Sequence, residues 1–260
     1  MKIYIMTDLE GPAGVSRWVQ TREGETPEKR AAMRLLTGEV NAAIDGILDV
    51  DPHADILVWD GHGSGGGLIF EELHDAARVV LHGVGMGSPH HLDATFDAVY
   101  FVGQHAMAGT PNAPLCHTYS SRTIEWYTLN DEPVGEIGCF SAMAGAFGVP
   151  VCFLSGDDKA CAEARAIIPE IVTVDTKQGL GLELAVHLSH RRSCDIIRAG
   201  AAQAIRKSKS IPPYIINGPC ELKIRLQDGA DLKPLINHGM EQLDDQTVIL
   251  KRDSLLKLFT

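Results

Sequence analysis

The chain has no Cys-x-x-Cys pair. Its six cysteines, Cys116, Cys139, Cys152, Cys161, Cys194 and Cys220, are scattered. This argues against a cysteine zinc knuckle, and their mostly apolar surroundings predict reduced core thiols. Basic runs are missing beyond the pair Arg191-Arg192, and the formal net charge is −11. A chain this acidic lacks the basic face that phosphate contact requires, so no nucleic-acid partner is expected. No apolar segment is long enough to span a bilayer, so no membrane partner is expected either. Met1-Lys2 leads directly into a strand-like run, without the apolar stretch and small-residue cleavage site of a signal peptide. These features together predict a cytoplasmic protein. There is no internal repeat and no low-complexity segment. The glycine-rich stretch at 63–67 lacks the Lys-Ser/Thr of a phosphate-binding loop, and reads as a mobile loop allowing close approach to His62.

What is present is an ordinary globular composition, with 260 residues of which 45% are apolar. That length suits one main core with a smaller appendage. Short apolar runs, rich in β-branched residues, lie at 2–6, 54–59, 98–102, 149–154 and 171–174. They read as buried strands. Helical patterns separate them. Residues 28–50 carry Leu35, Leu36, Val40, Ala43, Ile44, Ile47 and Leu48 at spacings of three and four. Residues 134–147 are rich in Ala and Gly, and 157–168 begin at Asp and stop before Pro169. Alternating strands and helices predict a layered α/β/α domain with a largely parallel sheet, over 1–192. From 193 the pattern changes to a helix (194–207), the linker Ser-Ile-Pro-Pro, a stretch at 214–226, a helical segment at 231–237, a strand at 247–251 and a last helix from Asp253. This reads as a smaller C-terminal α+β subdomain, 193–260, serving assembly or substrate access.

Four of the runs end in residues able to do chemistry, at Thr7-Asp8, Asp60-Gly-His62, Gly103-Gln-His105 and Ser155-Gly-Asp157-Asp158. Sites in open parallel sheets form beyond the carboxyl ends of the strands. Asp8 and Glu10, one residue apart in extended chain, point to the same side and can face one cation. Taken alone they also read as solvated surface acids. His62 and His105 occupy corresponding strand ends, and imidazole nitrogen with carboxylate oxygen suits zinc. A set with two nitrogens and several carboxylates suits two metals, because a carboxylate bridges. Glu136 falls at a helix start, where the dipole favours an acid whatever its function. His117 lies in a loop after a proline-rich stretch and reads equally as a packing residue. Asp60 reads either as a group orienting His62 or as a strand-end turn residue.

The chain resembles the D-aminopeptidase family of metallopeptidases. The resemblance rests on Met6-Thr-Asp-Leu-Glu-Gly11, Asp60-Gly-His62, Gly103-Gln-His-Ala106, the segment around His117, Asn130-Asp-Glu-Pro-Val-Gly-Glu-Ile-Gly138 and Gly156-Asp-Asp158. These motifs stand in the family's order from residue 1 to about 180. The resemblance implies that Asp8, Glu10, His62, His105 and Glu136 hold two zinc ions per subunit, with Asp8 bridging, and that His117 is catalytic and not a ligand. It also implies a short peptide substrate with a free amino terminus and small D-residues such as D-alanine. The implied assembly is a homo-oligomer, a decameric ring in the family's best-known member. The partly apolar segment 84–91 is a candidate contact with a neighbouring subunit. One departure stands out, since Leu182 and Glu183 occupy a stretch where the family often has Arg, which puts the substrate preference in question. Two rival functions share the ligand set. One is a dinuclear hydrolase of another bond, such as a phosphoester or cyclic amide, against which the lack of basic residues near the motifs counts. The other is a catalytically silent metal-binding oligomer, against which His117 counts.

Overall fold

The computed structural model describes residues 1–22, 24–63, 66–81 and 90–258. The chain runs through β1 (Lys2–Thr7), α1 (Pro27–Leu48), β2 (Asp55–Asp60), β3 (Ala77–Val80), β4 (Ala98–Gln104), β5 (Ile124–Leu129) and β6 (Glu132–Pro133). It continues through α2 (Glu136–Ala146), β7 (Val151–Asp157), α3 (Asp158–Ile167), β8 (Val172–Gly181), β9 (Leu184–His187) and α4 (His190–Lys207). The last elements are β10 (Cys220–Leu226), α5 (Lys233–Asn237), β11 (Glu241–Gln242) and β12 (Thr247–Arg252). Helix α1 starts where the sequence supplies a cap. The Thr26 side chain accepts from Lys29 N and Pro27 takes the first helical position. Asp157 caps α3 in the same way, accepting from Lys159 N and Ala160 N.

The main sheet has seven strands in the order β3-β2-β1-β4-β7-β8-β9. Every pairing in it is parallel except the β8–β9 hairpin. Neighbouring residues of β4 define the two faces. The Tyr100 hydroxyl donates to Ala201 O on α4, whereas Phe101 meets Phe140 on α2 edge to face. Tyr4 and Trp59 stack on the same Phe140. Successive strand residues point to opposite faces, so α2 and α4 cover opposite sides of the sheet. α1 packs along α4, and α3 sits beside α2. This is the expected three-layer arrangement. Among the described residues no helix is long and apolar enough to cross a membrane, and all six cysteines are free.

The second sheet is antiparallel, in the order β11-β12-β10-β5-β6. Its membership differs from the expected division at 192/193. That boundary falls inside α4, which packs on β7 and β8 of the main sheet. β5 and β6 come from the first 192 residues, yet they pair with the C-terminal strands. The cause is a non-local pairing of β10 with β5 on one side and β12 on the other. The Asn130-Asp131 turn between β5 and β6 has positive φ at both residues, 53° and 68°, the geometry that favours Asn and Asp in a tight hairpin. The segment expected to be a helix from Asp253 is a 3₁₀ turn at Leu255–Leu258. Of the segment 84–91, only His90 and His91 lie within the described residues.

Candidate metal centre

β1, β2 and β4 lie side by side, and their carboxyl ends release the chain at one edge of the sheet. Two glycines permit the strand ends to close on each other. A Cβ on Gly11 would lie 2.2 Å from Gly103 C, and one on Gly103, at φ +85°, would lie 2.1 Å from Asp8 O. Asp8 N and Gly11 N donate to Val102 O and Gly103 O. The segment carrying Asp8 and Glu10 is thereby fastened to the one carrying His105.

The six sequence-predicted side chains meet there. Asp8 Oδ1 lies 3.1 Å from His62 Nδ1, and Asp8 Oδ2 lies 3.1 Å from His105 Nε2. Glu10 Oε2 is 3.0 Å from His62 Nδ1. Glu136 Oε1 is 3.3 Å from His105 Nε2 and 3.9 Å from His117 Nε2. The His105 and His117 rings stack at 4.0 Å. Glu10 and His105 are 2% exposed and Asp8 5%, so these groups are largely withdrawn from bulk solvent.

Each histidine has its other ring nitrogen at a backbone carbonyl. His62 Nε2 lies 3.1 Å from Thr21 O, His105 Nδ1 lies 2.9 Å from Ala106 O, and His117 Nδ1 lies 2.8 Å from Leu115 O. A ring nitrogen facing a carbonyl carries the proton, so the neutral ring turns a lone pair toward the acids. Asp8 Oδ2, Glu10 Oε2 and His105 Nε2 have no hydrogen-bond partner although buried. Lone pairs opposed at 3.0–3.3 Å in a buried site repel unless a proton or cation lies between them. A divalent metal fits this donor set. Among the described residues two groupings meet the geometry, Asp8–Glu10–His105 and His105–His117–Glu136.

Electrostatics follow from the same crowding. Burial opposes a charged ring at His62, but Glu10 and Asp8 override it and push the pKa well above the ordinary value. His105 behaves likewise under Glu136 and Asp8. Burial also opposes ionisation of Glu10 and Glu136, yet the adjacent histidines hold both carboxyls below the usual range. His117 differs, because burial and then His105 lower its pKa, which favours the neutral ring.

The sequence reading did not find the residues that support this cluster. The loop after β1 is held from several sides. The ammonium of Lys177, 2% exposed, donates to Glu10 O, Pro12 O and Val15 O. Glu39 accepts from Ala13 N, His187 Nδ1 from Gly14 N, and Glu183 from Trp18 N. The Trp18 ring meets His117 edge to face at 5.7 Å. The departing pair Leu182-Glu183 forms the β8–β9 turn. Glu183 fixes Trp18, and Leu182 O accepts from Leu115 N, beside His117. Asp60 accepts from Gly67 N and Leu68 N. Asp157 and Asp158 are structural, bonded to Lys159 N and Ala160 N and to Gly179 N respectively.

A cavity of about 310 Å³ opens over Asp8, Glu10, His62, His117 and Glu136. Its wall includes Arg22, Lys29 and Arg122. The expected lack of basic residues near the motifs therefore holds along the chain and fails in space. These three residues sit in a loop, a first helical turn and a strand approach, so their convergence had no sequence signal.

The family model for peptidase family M55, described as D-aminopeptidase, matches residues 1–260. The D-aminopeptidase of Bacillus subtilis (strain 168) is 30% identical over 214 residues, covering 82% of this chain and 77% of that protein. The solved structure of the Zn-dependent D-aminopeptidase DppA from Bacillus subtilis, described as a self-compartmentalizing protease, superposes with a TM-score of 0.91 at 26% identity. It covers 100% of this chain and 94% of that one. With the family model matched over its whole length, the chain belongs to peptidase family M55, the D-aminopeptidases.

Proposed function

We propose that this metallo-aminopeptidase removes the N-terminal residue of short peptides containing D-amino acids, using two zinc ions held by Asp8, Glu10, His62, His105 and Glu136. The observation that carries the reading is that Asp8 Oδ2, Glu10 Oε2 and His105 Nε2 are buried in one cluster without hydrogen-bond partners. Asp8 turns one oxygen to His62 and the other to His105, which supports a bridging role between two sites. When bound, the zinc pair supplies an acidified water and polarises the scissile carbonyl.

The chain's own residues do the rest. Thr21 O, Ala106 O and Leu115 O fix the ring orientations. His117 keeps a neutral ring with Nε2 toward the cluster, ready to take a proton and deliver it to the leaving amine. Trp18 and Glu183 hold that ring in place. The cavity, at the small end of the usual ~300–1,000 Å³ range, admits a short peptide and no folded chain.

Assembly belongs to the same reading. Leu180, Leu182, Leu184 and Val186 are 48–58% exposed on the β8–β9 hairpin, whose outer strand is an open sheet edge. An exposed apolar edge supports burial against another copy, and thus a homo-oligomer enclosing its sites, in the ring of ten that the resemblance implies. The second sheet serves assembly or access in this scheme, and the location is cytoplasmic.

Arg22, Lys29 and Arg122 favour one rival, hydrolysis of a phosphoester. Zinc content and turnover separate the two. The enzyme is expected to hold two zinc ions per chain and to cleave alanyl dipeptides, with D-residues preferred over L-residues. Turnover of aryl phosphates with none of the dipeptides would replace the aminopeptidase reading.

A further inference from the structure

We propose that Lys29 binds the C-terminal carboxylate of the substrate, making the enzyme selective for short peptides with a free acid terminus; this rests on the aminopeptidase reading. Lys29 lines the same cavity as the acid cluster. It stands in the first turn of α1, where Thr26 caps its backbone N–H. A cation there opposes the helix dipole, and an anion reaching the same place is favoured by both. Unlike Lys2, Lys159, Lys177, Lys223, Lys251 and Lys257, its ammonium makes no hydrogen bond or ion pair among the described residues.

The neighbouring cation has a different part. The Arg22 guanidinium donates from Nε to Ser121 Oγ at 2.7 Å and from Nη2 to Ser121 O at 3.0 Å, and lies 3.3 Å from the Trp18 ring centroid. It is held in the wall and contributes a fixed positive field. Lys29, on a flexible stem, is the group able to move onto a ligand. Arg122 adds further charge to the rim.

A short peptide with free termini carries one charge of each sign. Its amino end and first peptide bond belong at the acid cluster. In a cavity this small the carboxylate of a dipeptide or tripeptide is still inside, where burial without a partner is costly. A charged pair with an ammonium offsets that cost. Longer peptides would carry their carboxylate out of reach and lose the contact. An amide at the same place would leave Lys29 without its anion.

The test compares an alanyl dipeptide with its C-terminal amide on the zinc-loaded enzyme and on Lys29→Met. The wild-type enzyme is expected to prefer the free acid by roughly 10–100-fold in kcat/KM, the scale of one charged hydrogen bond. Lys29→Met should erase the preference through KM, leaving kcat, zinc content and amide turnover near wild type, and Lys29→Arg should restore part of it. In a His117→Ala background, calorimetric affinity for the free acid should fall by the same factor on adding Lys29→Met. Equal turnover of acid and amide by the wild type, or a preference that survives in Lys29→Met, overturns this proposal and leaves the aminopeptidase reading standing. No turnover of either peptide overturns both.

Discussion

His62, His105 and His117 have the same local design, one ring nitrogen on a backbone carbonyl and the other toward carboxylates, yet their surroundings divide their roles. His62 and His105 sit at 3.0–3.3 Å from two acids each, and the acids raise their pKa. His117 has one acid at 3.9 Å, and burial together with the stacked His105 lowers its pKa. Replacing His117 with Ala should therefore lower kcat by roughly 10²–10⁴-fold while zinc content stays at the wild-type level. Loss of one zinc in that variant, by metal analysis, would instead make His117 a ligand of the His105–Glu136 grouping. Glu39 gives a residue-scale prediction for stability. It is fully buried, and burial raises its pKa from 4.5 to about 7 despite bonds from Ser193 and Ala13. The folded state holds this proton more tightly than the unfolded one. The contribution is complete below pH 4.5 and is lost as pH rises through about 7. Glu39→Gln cannot ionise, so its stability relative to wild type should rise between pH 4.5 and 7 and level off above. Denaturant titrations at several pH values, on both zinc-free proteins, would measure this, and a constant difference would refute it.

At the scale of elements, the β8–β9 hairpin connects the edge of the sheet to the chemistry. Its turn residue Glu183 accepts from Trp18 N at 2.8 Å, and Trp18 packs on His117 under Arg22. Glu183→Gln keeps the shape but weakens a charged hydrogen bond, so the loop around Trp18 should loosen. The expected result is a fall in kcat of about 3–10-fold, consistent with a bond of ~1 kcal/mol. KM for the amide substrate and zinc content should hold, and Trp18 fluorescence should become more quenchable. Unchanged kcat would show that the turn only fills space. The segment 10–15 after β1 is fastened in a similar way, to Glu39 on α1 and to Lys177 and His187 far along the chain. Its sequence carries no such signal, because a loop's fastening depends on what other segments bring beside it.

For the whole molecule, an open edge strand carrying Leu184 and Val186, 58% and 57% exposed, is an aggregation hazard unless another copy covers it. Leu184→Lys with Val186→Lys should convert the assembly to smaller species, detected by sedimentation velocity or scattering. Wild-type size in the double variant would remove the hairpin from the interface. Because the hairpin turn also supports Trp18 and His117, dissociation is expected to reduce kcat as well.

Much of the site was legible in the sequence because its residues sit at fixed offsets from short apolar strands. Asp8, His62 and His105 each follow a strand within two residues, and parallel strands bring their carboxyl ends to one edge whatever else the chain does. The three-layer arrangement was legible for the same reason, since the strand and helix periods are local. The second sheet was not, because β5, Ile-Glu-Trp-Tyr-Thr-Leu, has no regular alternation and gains its identity only by pairing with β10, far along the chain. Nor did any spacing foretell that Arg22, Lys29 and Arg122 would face the acid cluster, or that Lys177 would be buried with its charge satisfied by three carbonyls. The residue types gathered at the site, their order and the strands that carry them could be read from the chain alone, because those are properties of neighbouring residues. Which polar atoms face each other, which cations share their cavity and what the loops are bonded to emerged with folding, because those depend on distances between segments that are remote along the chain.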